Sequence, residues 1–228
     1  MRSFRALGGD GPLSVHSKIP PGKGMGYSGA AAVAGAAAAQ LQTSGHLDRY
    51  EICEVATRIE GHADNAAPSV FGGFTVAAGG EVVRLDPPDL RLVIWVPPAQ
   101  TSTDASRGRL PENVSLADAT FNIGRAALLV AAIATERWDV LRSATEDRVH
   151  QRARLPAVPE SERALGLLLD GPALAAWLSG SGPSVAALVR PVDSAAIANS
   201  LPATGHCKVL SIDALGVRAV DSLGSAPK

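Results

Sequence analysis

Leu13-Ser14-Val15-His16-Ser17-Lys18-Ile19-Pro20-Pro21-Gly22-Lys23-Gly24-Met25-Gly26-Tyr27-Ser28-Gly29, followed by residues 30–39 with eight alanines, is the stretch on which the fold turns. Its first seven residues alternate apolar and polar side chains, the pattern of a half-buried strand. The next ten are too rich in Gly and Pro for regular structure, and the alanines have the highest intrinsic helix propensity. Strand, glycine loop and helix are therefore expected in that order. Such a loop is an anion site: glycines let backbone N–H groups approach phosphate oxygens, and the helix N-terminus adds partial positive charge. Lys23 would add a full charge and Ser28 a hydroxyl. Gly24-Met25-Gly26-Tyr27-Ser28-Gly29 formally matches the dinucleotide fingerprint G-x-G-x-x-G, but residues 40–47 do not form the apolar strand that must follow it. A Walker A loop fails because Lys23 is followed by Gly24 rather than Ser or Thr.

Outward from this loop, residues 48–60 carry Ile52, Val55, Ala56 and Ile59 on one helical stripe. Residues 74–76, 81–85 and 90–96 read as strands, with Gly79-Gly80 as a hairpin turn. Helices are expected over 116–135, 138–149, 160–169 and 193–200, and strands over 173–178, 185–189, 207–212 and 217–220. Helices and strands mix in blocks, so the class is α+β, with a boundary near the polar stretch 99–112 and domains over 1–100 and 101–228. The 228 residues carry 21 Lys and Arg against 22 Asp and Glu, a net charge of −1 that offers nothing to nucleic acid. Two cysteines, Cys53 and Cys207, exclude a disulfide framework and a Cys-rich metal site. The longest strongly apolar run, 126–134, is shorter than the stretch of about 20 residues that spans a bilayer, so no membrane partner and a cytoplasmic location are expected.

The loop Pro20 to Ala30 resembles the phosphate loop of the GHMP kinases, a Pro-x-x-x-Gly-Leu-Gly-Ser-Ser-Ala-Ala pattern between a strand and an Ala-rich helix. Two further stretches narrow the resemblance to homoserine kinases. Glu60-Gly61-His62-Ala63-Asp64-Asn65-Ala66-Ala67-Pro68, with Gly72-Gly73 following, is similar to their Glu-Gly-His-Pro-Asp-Asn segment. Ala144-Thr145-Glu146-Asp147-Arg148-Val149-His150-Gln151, leading to Arg154, is similar to their Ala-Thr-Glu-Asp-Arg-Leu-His-Gln segment. Leu178-Ser179-Gly180-Ser181-Gly182-Pro183-Ser184 resembles the third GHMP motif. The resemblance implies a two-domain fold: the remainder of an N-terminal domain of the ribosomal-protein-S5-domain-2-like type, then a C-terminal ferredoxin-like domain. It implies ATP-dependent phosphorylation of L-homoserine on the route to threonine, with magnesium as the metal and a homodimer as the common assembly. Pro20, Pro21, Gly22, Lys23, Gly24, Met25, Gly26, Tyr27, Ser28, Gly29 and Ala30 would cradle the ATP phosphates together with Gly180 and Gly182. Ser28 and Glu54 would hold the metal, hard oxygens suited to that ion. His62 and Asn65 would face homoserine, Arg154 its carboxylate, and Thr145 the transferred phosphate.

Asn65 stands where mevalonate-type kinases carry an aspartate base. An amide accepts no proton at neutral pH, so direct attack of the hydroxyl on phosphorus is implied. The bare residues admit plainer readings: Glu54 and Arg58 as a surface i,i+4 pair, His62 and Asn65 as turn and cap residues, Arg154 as part of a solvated basic face. The loop departs from the pattern at Met25, Tyr27 and Gly29. A family motif of the type Ala-Asn-Leu-Gly-Pro-Gly-Phe-Asp, which precedes the strand before the loop, has no counterpart, so an N-terminally truncated chain is expected. A catalytically silent fragment that at most binds nucleotide, and another small-molecule GHMP kinase, are the alternatives.

Overall fold

The computed structural model describes residues 1–100, 106 and 108–220; the part of the expected boundary loop at 101–105 and 107 lies outside the described residues. By packing the chain divides into two units that interleave along the sequence. One comprises Met1–Ile19, Gly26–Pro87 and Asp213–Lys228, the other Pro20–Met25 and Pro88–Ile212. This differs from the expected division at residue 100, because the strand at 91–96 pairs on both sides with strands of the second unit.

The first unit is built on small side chains. Helices α1 (Arg2–Ala6), α2 (Tyr27–Thr43), α3 (Arg49–Glu60) and α4 (Ala66–Phe71) pack around Ala32, Val33, Ala36, Ile52, Val55, Ala56, Ala66 and Val70. Alanines let helix backbones approach closely, and at Gly35 the approach is closer still: a Cβ there would lie 3.3 Å from the backbone nitrogen of Phe4 on α1. Helix α3 starts at Asp48, whose carboxylate accepts from the amides of Tyr50 and Glu51, and it ends at left-handed Gly61. Strands β1 (Phe74–Ala78) and β2 (Glu81–Leu85) form a hairpin across Gly79 and Gly80, both with positive φ, the geometry of a two-residue turn matched to strand twist. The chain returns to this unit at Asp213. Gly73 donates to the carbonyl of Asp213 and Val217 to that of Val70.

Two expectations fail here. Residues 13–19 form no strand, for they have no ladder partner among the described residues and Val15 is exposed. Residues 217–220 form none either; the Val217 amide donates to the Val70 carbonyl on α4 instead of to a sheet edge.

The second unit holds a four-stranded antiparallel sheet of β3 (Arg91–Val96), β4 (Ala175–Leu178), β5 (Val185–Val189) and β6 (His206–Ser211), in the order β4-β5-β3-β6. Numbered within the unit, this is 4-1-3-2 read from the β6 edge, the split βαβ arrangement of a ferredoxin-like domain. Between β3 and β4 run α5 (Leu116–Ala134), α6 (Leu141–Ala144), α7 (His150–Arg154) and α8 (Pro159–Asp170), and α9 (Ser194–Ser200) precedes β6. The core is larger and more aromatic than the first unit's: Val93, Trp95, Leu168, Leu178, Val185 and Val189 are buried, and the Trp95 indole donates to the Pro202 carbonyl at 2.9 Å.

The expected helix over 138–149 is broken. A 3-10 turn (Trp138–Val140) leads into α6, and the chain leaves the helix at Thr145. Helix α5, by contrast, is continuous for 19 residues, which makes it long and apolar enough by length and composition to cross a membrane, so the 126–134 run understated it. Its polar side chains are engaged within the unit: Ser115 caps it, Asn122 bonds to Asp147, and Arg125 pairs with Glu146.

Candidate active site

The glycine loop is stapled to the third motif by backbone contact. Gly22, Gly24 and Gly26 all have positive φ, which glycine alone adopts without strain. A Cβ on Gly24 would run into the carbonyls of Ser179 and Gly182, and one on Gly180 would lie 3.2 Å from the Gly24 carbonyl. The Ser179 hydroxyl donates to the Gly24 carbonyl at 2.8 Å, and the Ser184 amide to the Lys23 carbonyl at 3.4 Å. The two glycine-rich segments, 158 residues apart between Gly22 and Gly180, are thus one backbone surface. Beneath it, Met25 packs on Ile94, Val96 and Ala186, so the Leu-to-Met departure keeps an apolar anchor. The Ser184 hydroxyl is fully buried with no hydrogen-bond partner among the described residues.

Lys23 does not point a charge at the loop's open face. Its ammonium, buried, donates to the carbonyls of Pro97, Pro98 and Ala99 at 2.8, 2.7 and 2.6 Å. An ammonium has three donors, so this side chain is saturated. Burial holds its pKa below the usual lysine value. The expectation that Lys23 supplies charge to phosphate therefore gives way to a clamp that ties the loop to the chain leaving β3.

On the other side of Met25, Gly26 in the left-handed region opens α2. Orphan N–H groups of a first turn are the anion-binding element of such a loop. Asn65 lies against this turn: a Cβ on Gly26 would be 3.0 Å from Asn65 Oδ1, and one on Gly29 would be 2.7 Å from Asn65 Cβ. In this chain the two residues are in close contact at Gly29, whereas the family pattern carries Ala there beside the same Asn, so the contact does not account for the departure. Beside it the Ser28 hydroxyl donates to Glu60 Oε1 at 2.8 Å. Glu54, expected as its companion, is exposed and faces Arg58 at 3.9 Å, the i,i+4 pair. His62 engages Asp64 through Nδ1. Tyr27 is exposed at the helix start.

In the second unit Arg154 reaches the third motif. Its Nη1 donates to the Gly180 carbonyl at 3.4 Å and to His150 Nδ1 at 3.3 Å, and its Nε donates to the Ser106 carbonyl at 3.3 Å. The Thr145 hydroxyl lies 3.2 Å from the carbonyls of both Leu141 and Arg142, closing the last turn of α6. What sequence reasoning missed is the frame around Arg154. Asp147 Oδ1 accepts from the amides of Val149 and Gln151 at 3.0 and 2.7 Å, and Oδ2 accepts from Asn122 at 2.6 Å. Gln151, buried, accepts from the Leu178 amide at 2.7 Å and donates to the Thr145 carbonyl at 3.3 Å. An Asp two to four residues ahead of a helix-starting amide is a capping signal, so Asp147 could have been found. Phe121 carries guanidiniums on its ring, Arg148 at 3.7 Å and Arg125 at 4.5 Å from the centroid.

The family model for the GHMP kinases N terminal domain matches residues 2–73, and the model for the GHMP kinases C terminal matches residues 127–207. A homoserine kinase of Desulfitobacterium hafniense is 39% identical over 221 residues, which is 91% of this chain and 74% of that one. The chain belongs to the homoserine kinase family of GHMP kinases. A homoserine kinase of Streptomyces avermitilis is 42% identical over 226 residues, covering 94% of this chain and 73% of its own length. The crystal structure of homoserine kinase from Cytophaga hutchinsonii superposes with a TM-score of 0.80 at 26% identity, over 88% of this chain and 69% of that one. The two-domain GHMP kinase architecture holds, and with it the ferredoxin-like second unit.

Proposed function

We propose that this chain transfers the γ-phosphoryl group of ATP to the side-chain hydroxyl of L-homoserine, giving ADP and O-phospho-L-homoserine, a cytoplasmic step on the route to threonine. The observation that carries the reading is Asn65, an amide packed against the first turn of the phosphate-loop helix. A kinase of this fold that relied on a carboxylate base would need an acid there. The relatives at about 40% identity are named homoserine kinases, which points to the same acceptor.

In this reading the amides of the α2 first turn and the loop glycines bind and orient the phosphates. The homoserine hydroxyl oxygen attacks the γ-phosphorus, the bond from phosphorus to the β,γ-bridging oxygen breaks, and its electron pair leaves with ADP. The hydroxyl proton passes to solvent or to the product phosphate late, because the transition state is loose and little proton transfer precedes it. Asn65 orients the acceptor rather than deprotonating it, and His62, held by Asp64, faces the same group. Arg154 pairs with the amino acid's carboxylate, a contact suited to guanidinium geometry. Thr145 closes α6 at the start of the segment that carries Arg154. Magnesium fits the Ser28 side, where a hydroxyl and the Glu60 carboxylate at 2.8 Å are hard oxygen donors, while Glu54, earlier on the same helix, faces Arg58. When bound, the ion neutralises charge on the β- and γ-phosphates.

The test is ADP release with magnesium and ATP, comparing L-homoserine, mevalonate and no acceptor. Release that depends on homoserine, and that Arg154→Ala reduces, supports the reading. Equal release with and without acceptor contradicts it.

A further inference from the structure

We propose that His150 is a positioning residue for Arg154: a neutral imidazole whose Nδ1 accepts from the guanidinium and fixes the direction in which Arg154 meets the substrate carboxylate. The inference rests on the reading of Arg154 as the carboxylate-binding group. Helix α7 is a single turn, so His150 and Arg154, four residues apart, lie on one face. That turn is fixed at its start by two ties. Asp147 caps its start through the amides of Val149 and Gln151, and the Gln151 side chain ties it to the Leu178 amide at the end of β4. The long Arg154 side chain extends from this turn toward the third motif. Among its contacts are two backbone carbonyls, Ser106 at 3.3 Å and Gly180 at 3.4 Å. The 3.3 Å contact to His150 Nδ1 adds a side-chain acceptor.

That contact requires one protonation state. An arginine N–H can only donate, so Nδ1 must carry a lone pair, and the ring proton of the neutral form then sits on Nε2. Nε2 is the nitrogen on the side of Asp147, whose Oδ2 is 4.0 Å away. Among the described residues, the groups facing the ring include Arg154 on its own helix, Asp147 from the preceding turn, and the uncharged Asn122 of α5 behind Asp147. Burial pushes the His150 pKa down from its ordinary value, Asp147 opposes this and Arg154 adds to it. The ring is therefore neutral at neutral pH and takes a proton only in acid. Protonation removes the Nδ1 lone pair and sets two cations face to face, so Arg154 loses its aim as pH falls through that value.

The test measures kcat and the KM values for L-homoserine and ATP, from about pH 5 to pH 8, in the parent, H150A, H150N and R154A. An asparagine amide oxygen can stand where Nδ1 does but does not titrate, so H150N separates aim from charge. At pH 8, H150A should raise the homoserine KM about tenfold, the scale of one hydrogen bond to a charged group, with kcat and the ATP KM nearly unchanged. H150N should recover most of that loss. In the parent the homoserine KM should climb as pH drops, and in H150N the climb should vanish. H150A without effect on a homoserine KM that R154A does raise overturns the inference alone, as does an acid climb that persists in H150N. R154A without effect overturns the assignment of Arg154, and the inference with it.

Discussion

At the scale of single residues, Lys23 and Asn65 decide how the loop works. Sequence alone makes Lys23 a phosphate ligand, since a lysine among glycines before an Ala-rich helix suggests little else. The carbonyls of residues 97–99 that saturate it are about 75 positions away, and no local pattern announces them. Lys23→Met should leave those carbonyls unpaired and cost about 1–3 kcal/mol of stability, read in urea unfolding, with an ATP KM raised through the misplaced loop. A raised ATP KM with stability unchanged would instead mark a phosphate ligand. On the metal side, Ser28 bonds to Glu60 and Glu54 to Arg58. Glu60→Gln should raise the magnesium concentration for half-maximal rate, and the fluorescence-monitored magnesium titration should shift with it. A shift in Glu54→Gln larger than in Glu60→Gln would return the role to Glu54. Gly29 was legible only as a departure; its close approach to the Asn65 side chain at the same turn is a tertiary contact.

At the scale of elements, strongly patterned segments were readable and short ones were not. Helix α3 showed its stripe, and Gly79-Gly80 showed its turn. Helix α4 was hidden inside the Asn65–Gly73 motif, where Pro68 reads as a breaker although a proline is tolerated in a first helical turn. Residues 138–149 read as one helix because no Gly or Pro interrupts them; the chain leaves the helix at Thr145, and Asp147 accepts from the amides that start the next turn. Asp147→Ala should release α7, lowering the unfolding free energy by about 1 kcal/mol. It should raise the homoserine KM more than the ATP KM, since Arg154 rides on that turn. The glycine pair of the first unit has a structural use as well. A Cβ on Gly72, with φ of +66°, would lie 2.7 Å from the backbone carbon of Ala214 in the returning segment. Gly72→Ala should therefore cost at least about 1 kcal/mol from the left-handed backbone alone, and should release residues 213–217 to faster amide exchange. Protection unchanged there would show the pair to be dispensable for packing.

At the scale of the molecule, the family motifs carried the assignment while the division of the chain stayed hidden. The block mixture of expected helices and strands bounded the class to α+β. Order and spacing of the motifs pointed to the GHMP kinases, as the matching domain models and relatives show. The boundary did not show, because β3 precedes the polar loop in sequence yet lies second from the edge of the second unit's sheet. Likewise residues 213–217 follow the last strand but pack with the first unit. The first is set by strand pairing and the second by backbone hydrogen bonds outside any sheet, both across about 90 residues or more, which no window along the sequence samples. The central claim is chemical, and phosphorus NMR of the reaction mixture tests it most directly. With ATP, magnesium and L-homoserine the account predicts a new phosphomonoester resonance, coupled to the methylene protons next to the acceptor oxygen, growing as ADP appears. A mixture that yields only inorganic phosphate, or no change on adding homoserine, would contradict it.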